Sequence, residues 1–181
     1  MSGIDTLNGT YVIDPSHTRI GFVVRHAMVT KVRGSFNEVD GKAVTGENLQ
    51  DASIDVTIDT ASVDTRNADR DGHLKSADFF DAEKYPTITF KSTDVQAKGD
   101  DLVVTGDLTI KDLTKSITIE FEYEGGATDP FGNQRVGFEG KTVVNRAEYG
   151  LTWNAALETG GVLVSDKVVL NLDVAFTAPQ A

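Results

Sequence analysis

His17, His26 and His73 are the only histidines in this chain, and there is no cysteine, so they are the only imidazole ligands a transition metal could find and thiolate sites are excluded. A zinc site would need two or three of them to converge with carboxylates. No pair has the i, i+4 spacing of a helical site and no His-Glu-x-x-His pattern occurs, so no metal site is expected and each is better explained as a hydrogen-bonded histidine. Nucleophilic chemistry finds no better support: thiols are absent, and no serine sits in a Gly-x-Ser-x-Gly elbow. Carboxylate pairs such as Asp100-Asp101 or Asp69 with Asp71 could serve a glycosidase, but 28 acids in 181 residues produce such pairs by chance. There is no phosphate loop and no dinucleotide fingerprint. Arg146, closing Val-Val-Asn-Arg at a strand end, could hold an anionic head group or make a surface salt bridge. The densest polar stretch, RDGHLKSADFFDAEKYPTITF from Arg70 to Phe90, could be a catalytic site, a metal site or a structural clasp.

The elements that must position these residues are bounded by length and composition. A chain of 181 residues supports one domain with a substantial core, and 39 % hydrophobic with 25 % charged residues is ordinary for a globular protein. A net charge of −11, with 17 scattered Lys and Arg, argues against nucleic acid as a partner and against an anionic membrane surface. No window approaches the roughly 18 uninterrupted apolar residues of a spanning helix, so no integral membrane segment is expected. The first residues lack a basic start followed by an apolar run, so a cytoplasmic location is expected.

Period two dominates the chain. Ala52, Ile54, Val56 and Ile58 share one face of a strand; Ile117, Ile119, Phe121 and Tyr123 alternate with Ser116, Thr118, Glu120, Glu122 and Glu124. The same parity recurs at Ile20, Phe22 and Val24, at Ile88 and Phe90, at Leu102, Val104, Leu108 and Ile110, at Val136 and Phe138, and from Val168 to Phe176. Shorter candidates lie at 11–13, 32–36 and 42–44, and turns are marked by Asp14-Pro15, Lys98-Gly99, Gly125-Gly126 and Asp129-Pro130-Phe131-Gly132. About eight amphipathic strands follow, in an antiparallel sheet with one apolar face. Two short segments look helical, 67–77 and 147–156. These cannot cover such a sheet, so it closes into a barrel or folds into a sandwich, the barrel being favoured. Gly106 and Gly140 stand on the apolar parity; they either leave a hydrocarbon-lined cavity or relieve strand curvature.

Within the dense stretch, Asn67 or Asp69 can cap a helix carrying acids in its first turn. Arg70, His73, Leu74 and Ala77 share a face. Gly72 weakens that helix and suggests a close backbone approach or the helix end. Phe79 and Phe80 are anchors, each contributing about 1.5 to 3 kcal/mol if fully buried. The whole behaves as a plug across one barrel end.

The string SVDTRNADRDGHLKSADFFDAEKYPTITFKS, from Ser62 to Ser92, resembles the signature region of the YceI-like family of polyisoprenoid-binding, lipocalin-like barrel proteins. The resemblance continues through YVIDPSHTRIGFVVRH, GSFNEVDG, GDLTIKDLTKSI, NRAEYGL and VSDKVVLNLDVAF, in order over nearly the whole chain. Asp112 stands where the family often has glycine, which should alter only a turn. Family members in Gram-negative bacteria are often exported with a leader, which the first residues here do not resemble. What the resemblance implies is a single domain over residues 1–181: an all-β, eight-stranded antiparallel lipocalin-like barrel with one or two short helices. Its tunnel would hold a polyisoprenoid lipid or the tail of an isoprenoid quinone.

Together with the alternating inward face, the resemblance assigns the tunnel wall to Ile20, Phe22, Val24, Phe36, Ile54, Val56, Ile58, Ile88, Phe90, Leu108, Ile117, Ile119, Phe138 and Leu170. It sets Arg70, Asp71 and His73 near one opening. The expected function is non-catalytic transport or storage of the lipid, with no catalytic residue and no cofactor besides it. A homodimer through an edge or a barrel face is compatible with the sequence. Two alternatives stay open: a small-barrel enzyme using His73 with Asp71 or Arg70 on an isoprenoid or quinone, and a stress-response interaction protein with a filled barrel.

Overall fold

Each of the alternating segments forms a strand, because an apolar residue at every second position is buried on one side only when the backbone is extended. The structure, a computed structural model, describes residues 3–158 and 161–178. Its strands are β1 (Gly9–Ile13), β2 (Arg19–His26), β3 (Thr30–Phe36), β4 (Val39–Thr45), β5 (Ser53–Asp59), β6 (Val63–Asp64), β7 (Thr87–Lys98), β8 (Asp101–Ile110), β9 (Leu113–Thr128), β10 (Gln134–Asn145) and β11 (Val164–Ala178). All pairings are antiparallel, and β1 meets both β4 and β11, so β1-β4-β5-β7-β8-β9-β10-β11 close an eight-stranded ring. Closure removes the sheet edge and turns the shared apolar face into an interior.

The remaining short strands are the far halves of three ring strands. β1 pairs with β11 at Phe176 and Thr177, and β2 continues along the same strand from Asp173 to Val164. Asp14-Pro15 is therefore a kink within one wall strand, where the sequence suggested a turn between two strands. Its reason is local: Pro15 has no N–H for the ladder, and the Asp14 carboxylate accepts from the Ser16 N–H at 3.0 Å and the Ser16 hydroxyl at 2.7 Å. In the same way Asp59 caps the turn Thr60–Ser62 between β5 and β6, accepting from the Ala61 N–H at 3.0 Å. The far halves pair in the order β11-β2-β3-β6.

One α-helix is present among the described residues, α1 (Ala68–Lys75), capped by Asn67, whose side chain accepts from the Arg70 N–H at 3.0 Å. Gly72 has no heavy atom within 4 Å of an added Cβ, so no close backbone approach requires it. The helix expected over 147–156 is instead a single 3-10 turn, Arg146–Tyr149. It ends because Gly150 takes a left-handed φ of 75° and the next carbonyls turn toward the Arg146 guanidinium. Asp112 lies in the two-residue turn between Ile110 and Leu113, a paired hairpin whose left-handed residue is Lys111 at φ 59°. The core runs through the ring interior and continues under α1, where Phe79 is buried and Phe80 meets the Phe36 ring edge-on at 5.5 Å between centroids.

Candidate functional site

The ring encloses a cavity of about 150 Å³ whose wall is hydrocarbon almost throughout. Ile20, Ile54, Val56, Ile58, Phe90, Leu108, Ile117, Ile119, Phe138 and Leu170 line it, as their strand parity predicts. Phe22, Val24, Phe36 and Ile88 do not. Parity alone places them inward, but they lie toward the α1 end, where Phe36 packs against Phe22 at 5.7 Å and fills the interior with aromatic rings. Ile88 is buried against the same core, paired with Ile58.

Further wall residues carried the same parity signal and needed only its extension: Leu102 and Val104 on β8, Phe121 on β9, and Leu172, Val174 and Phe176 on β11. Leu7 and Leu49 had no such signal. They follow or end the 3-10 turns Ile4–Thr6 and Glu47–Leu49, which touch one another at the β1–β4 end of the ring.

The inward glycines are neither open notches nor simple curvature points. An added Cβ on Gly106 would lie 2.5 Å from Phe90 Cζ, and one on Gly140 would lie 2.5 Å from Phe121 Cδ1. Each glycine is covered by a neighbouring aromatic ring. Both rings line the cavity and occupy the space a Cβ would take, so each glycine leaves its ring room against the wall.

Arg70, Asp71 and His73 lie outside the cavity wall and bind the protein itself. The Asp71 carboxylate accepts from the Thr65 N–H at 2.8 Å and its hydroxyl at 2.6 Å, while Arg70 donates to the Thr65 hydroxyl and carbonyl, both at 2.7 Å. Thr65 is 3 % exposed, so these charged groups satisfy a buried polar residue at the helix entrance. His73 lies 2.9 Å from Asp78 and edge-on to Trp153 and Phe79. The dense stretch is a clasp.

Arg146 departs from both of its sequence alternatives. It is 4 % exposed and donates to the backbone carbonyls of Ser165, Trp153 and Val164 at 2.8, 2.9 and 3.2 Å, and to that of Leu151. Burial pushes its guanidinium pKa down, opposed by Asp166 at 3.7 Å. It pins the 151–153 segment to the start of β11.

The histidines join no cluster of potential metal ligands among the described residues; the one such group is Glu122, Glu124 and Glu139, all exposed. At the β1–β2 kink, hydrogen bonds from Ser16, then Arg135 at 2.7 Å, then His17 hold the Asp14 carboxyl well below the usual carboxylate range. Arg135 also reaches Asp129 at 2.9 Å and so ties the β9–β10 hairpin to the kink.

With the closed ring and its hydrocarbon-lined cavity described, comparison with known proteins gives the family. The model of the YceI-like domain matches residues 11–176. This chain belongs to the YceI-like family. A UPF0312 protein of Vibrio cholerae is 44 % identical over 145 residues, which cover 78 % of this chain and 77 % of that one. The crystal structure of BcnA from Burkholderia cenocepacia superimposes with a TM-score of 0.77 at 24 % identity, over 90 % of this chain and 98 % of that one. A polyisoprenoid binding domain from Saccharophagus degradans, implicated in plant cell wall breakdown, gives a TM-score of 0.70 at 18 % identity, covering 93 % and 98 %. The YceI-like architecture is thus an eight-stranded closed barrel with one helix.

Proposed function

We propose that this YceI-like barrel is a non-catalytic carrier that shelters the hydrocarbon tail of an isoprenoid lipid, either a free polyisoprenoid or the tail of an isoprenoid quinone. The observation that carries this reading is the ring cavity, whose only polar side chains are Tyr11, Thr45 and Ser53 among the described residues. An apolar cavity of this size holds no water well and accepts an apolar guest. The polyisoprenoid-binding relative of the same fold supplies the guest's class. Each five-carbon unit withdrawn from water contributes about 4 kcal/mol before the costs of association.

A cavity of about 150 Å³ matches a benzene-sized group, so a long tail must push the inward side chains apart as it enters. Among the described residues the cavity wall carries no carboxylate, imidazole or amine, and His73 is held in the clasp, which supports a carrier over the enzyme alternative. Native mass spectrometry of freshly purified protein tests the reading, with a co-purified isoprenoid expected. An empty protein that also fails to take up geranylgeraniol, farnesol or a short-tailed quinone would refute it.

A further inference from the structure

β9 and β10 pair from Thr128↔Gln134 as far as Glu120↔Lys141, and the ladder stops there. Beyond that level β9 remains paired to β8 down to Leu113, and β10 to β11 down to Asn145. The two strands therefore part, and residues 113–119 face 142–145 across a seam in the barrel wall. Among the described residues one polar contact crosses it, the Thr142 hydroxyl donating to the Thr118 carbonyl at 3.4 Å. The seam holds a cleft of about 440 Å³. Ile117 lines both this cleft and the hydrocarbon cavity, so the two are separated by one side chain.

An independent observation marks the cleft as a place for a ligand. Tyr149 lines it, is 1 % exposed, and its buried hydroxyl has no hydrogen-bond partner among the described residues. A polar group in that state is destabilising unless something arrives to pair with it. Burial, with a smaller effect from neighbouring Glu148, pushes its phenol up to about 12, so it remains an O–H donor. The charged residues around the cleft are Lys115, Lys167 and Glu148, a local excess of positive charge on a protein of net charge −11. A buried donor in a cleft that two lysines also line suits an anionic group that only accepts hydrogen bonds.

We propose that the seam between β9 and β10 is the site for the phosphate head of an isoprenoid lipid, paired with the Tyr149 hydroxyl, Lys115 and Lys167, with the tail passing Ile117 into the ring cavity. This rests on the carrier reading above. The wall opening gives the head access to water while the tail stays in the hydrocarbon cavity.

The test measures dissociation constants of geranylgeranyl phosphate, geranylgeraniol and a quinone of equal tail length by titration calorimetry on the intact protein. The phosphate is expected to bind more tightly than the alcohol. Tyr149→Phe and Lys115→Met should each weaken phosphate binding about tenfold while leaving the alcohol within about twofold. Tyr149→Phe keeps the ring and removes only an unpaired hydroxyl, and Lys115 is exposed, so both variants should fold. Equal affinity for phosphate and alcohol, or unchanged phosphate binding in both variants, would overturn the site and leave the carrier standing. Tight quinone binding that depends on Tyr149 but not on Lys115 would overturn the anionic assignment. If no tail binds at all, the carrier reading and the site fall together.

Discussion

The width of the bore depends on two glycines, and Gly140→Ala tests how closely. An ideal Cβ there falls 2.5 Å from Phe121 Cδ1, 2.6 Å from Cε1 and 3.1 Å from Ile119 Cγ2, all side-chain atoms. Carbon atoms rest about 3.5 to 4.0 Å apart, so the Phe121 ring must retreat by about 1 Å. Phe121 and Phe138 both line the cavity and meet edge-on at 6.4 Å, which leaves the bore as the direction of retreat. Overpacking of this kind costs about 1 to 3 kcal/mol. The displaced ring also takes space from a cavity of only about 150 Å³, so affinity for an isoprenoid tail should fall about tenfold or more. Urea unfolding gives the first quantity and titration with geranylgeraniol the second. Gly137→Ala is the control, because its Cβ would meet only Glu124 Cβ at an ordinary 3.6 Å. The double variant Gly140→Ala, Phe121→Leu should recover tail binding. A Gly140→Ala protein as stable and as tightly binding as the parent, or a Gly137→Ala protein equally impaired, would refute the argument.

Arg146→Met removes the guanidinium donor from the carbonyls of Leu151, Trp153 and Ser165, while that of Val164 keeps the Asn154 amide; at about 1 to 3 kcal/mol for each of the three, the loss should reach about 3 kcal/mol or more in urea unfolding. Gly72→Ala, in an exposed helix position with open space around its Cβ, should stabilise by up to about 1 kcal/mol, read as a raised Tm, without altering lipid uptake. Asp14 is depressed in the folded state, so its contribution is present above the unfolded value of about 3.9 and is lost as pH falls through and below it. Arg135→Met should therefore flatten the acid limb of the stability profile below about pH 4, measured by thermal melts across pH.

The barrel was legible because its signal is local and repeated. Ile117, Ile119, Phe121 and Tyr123 announce a half-buried strand wherever they are placed, and a run of such strands with too little helix to cover them must close on itself. The clasp was legible too, since Asn67 as a cap and Phe79 as an anchor depend on neighbours a few residues away. Asp14-Pro15 was misplaced for the opposite reason. A turn motif and a kink share the same local chemistry, and only the continuous pairing of β1 and β2 along β11 distinguishes them.

By itself the sequence determined the strand parity, the absence of thiols and the family. Tertiary structure decided which inward residues face space and which face one another. Phe22 and Ile20 share a strand and a parity, yet Phe22 packs on Phe36 while Ile20 lines the cavity. It also decided that Arg146 is buried and that the Tyr149 hydroxyl has no hydrogen-bond partner among the described residues, because both depend on how segments distant in sequence meet at the start of β11 and along the seam. Parity is a property of one strand, whereas a cavity is a property of the volume that eight strands leave unfilled, and that volume is set only when the ring closes.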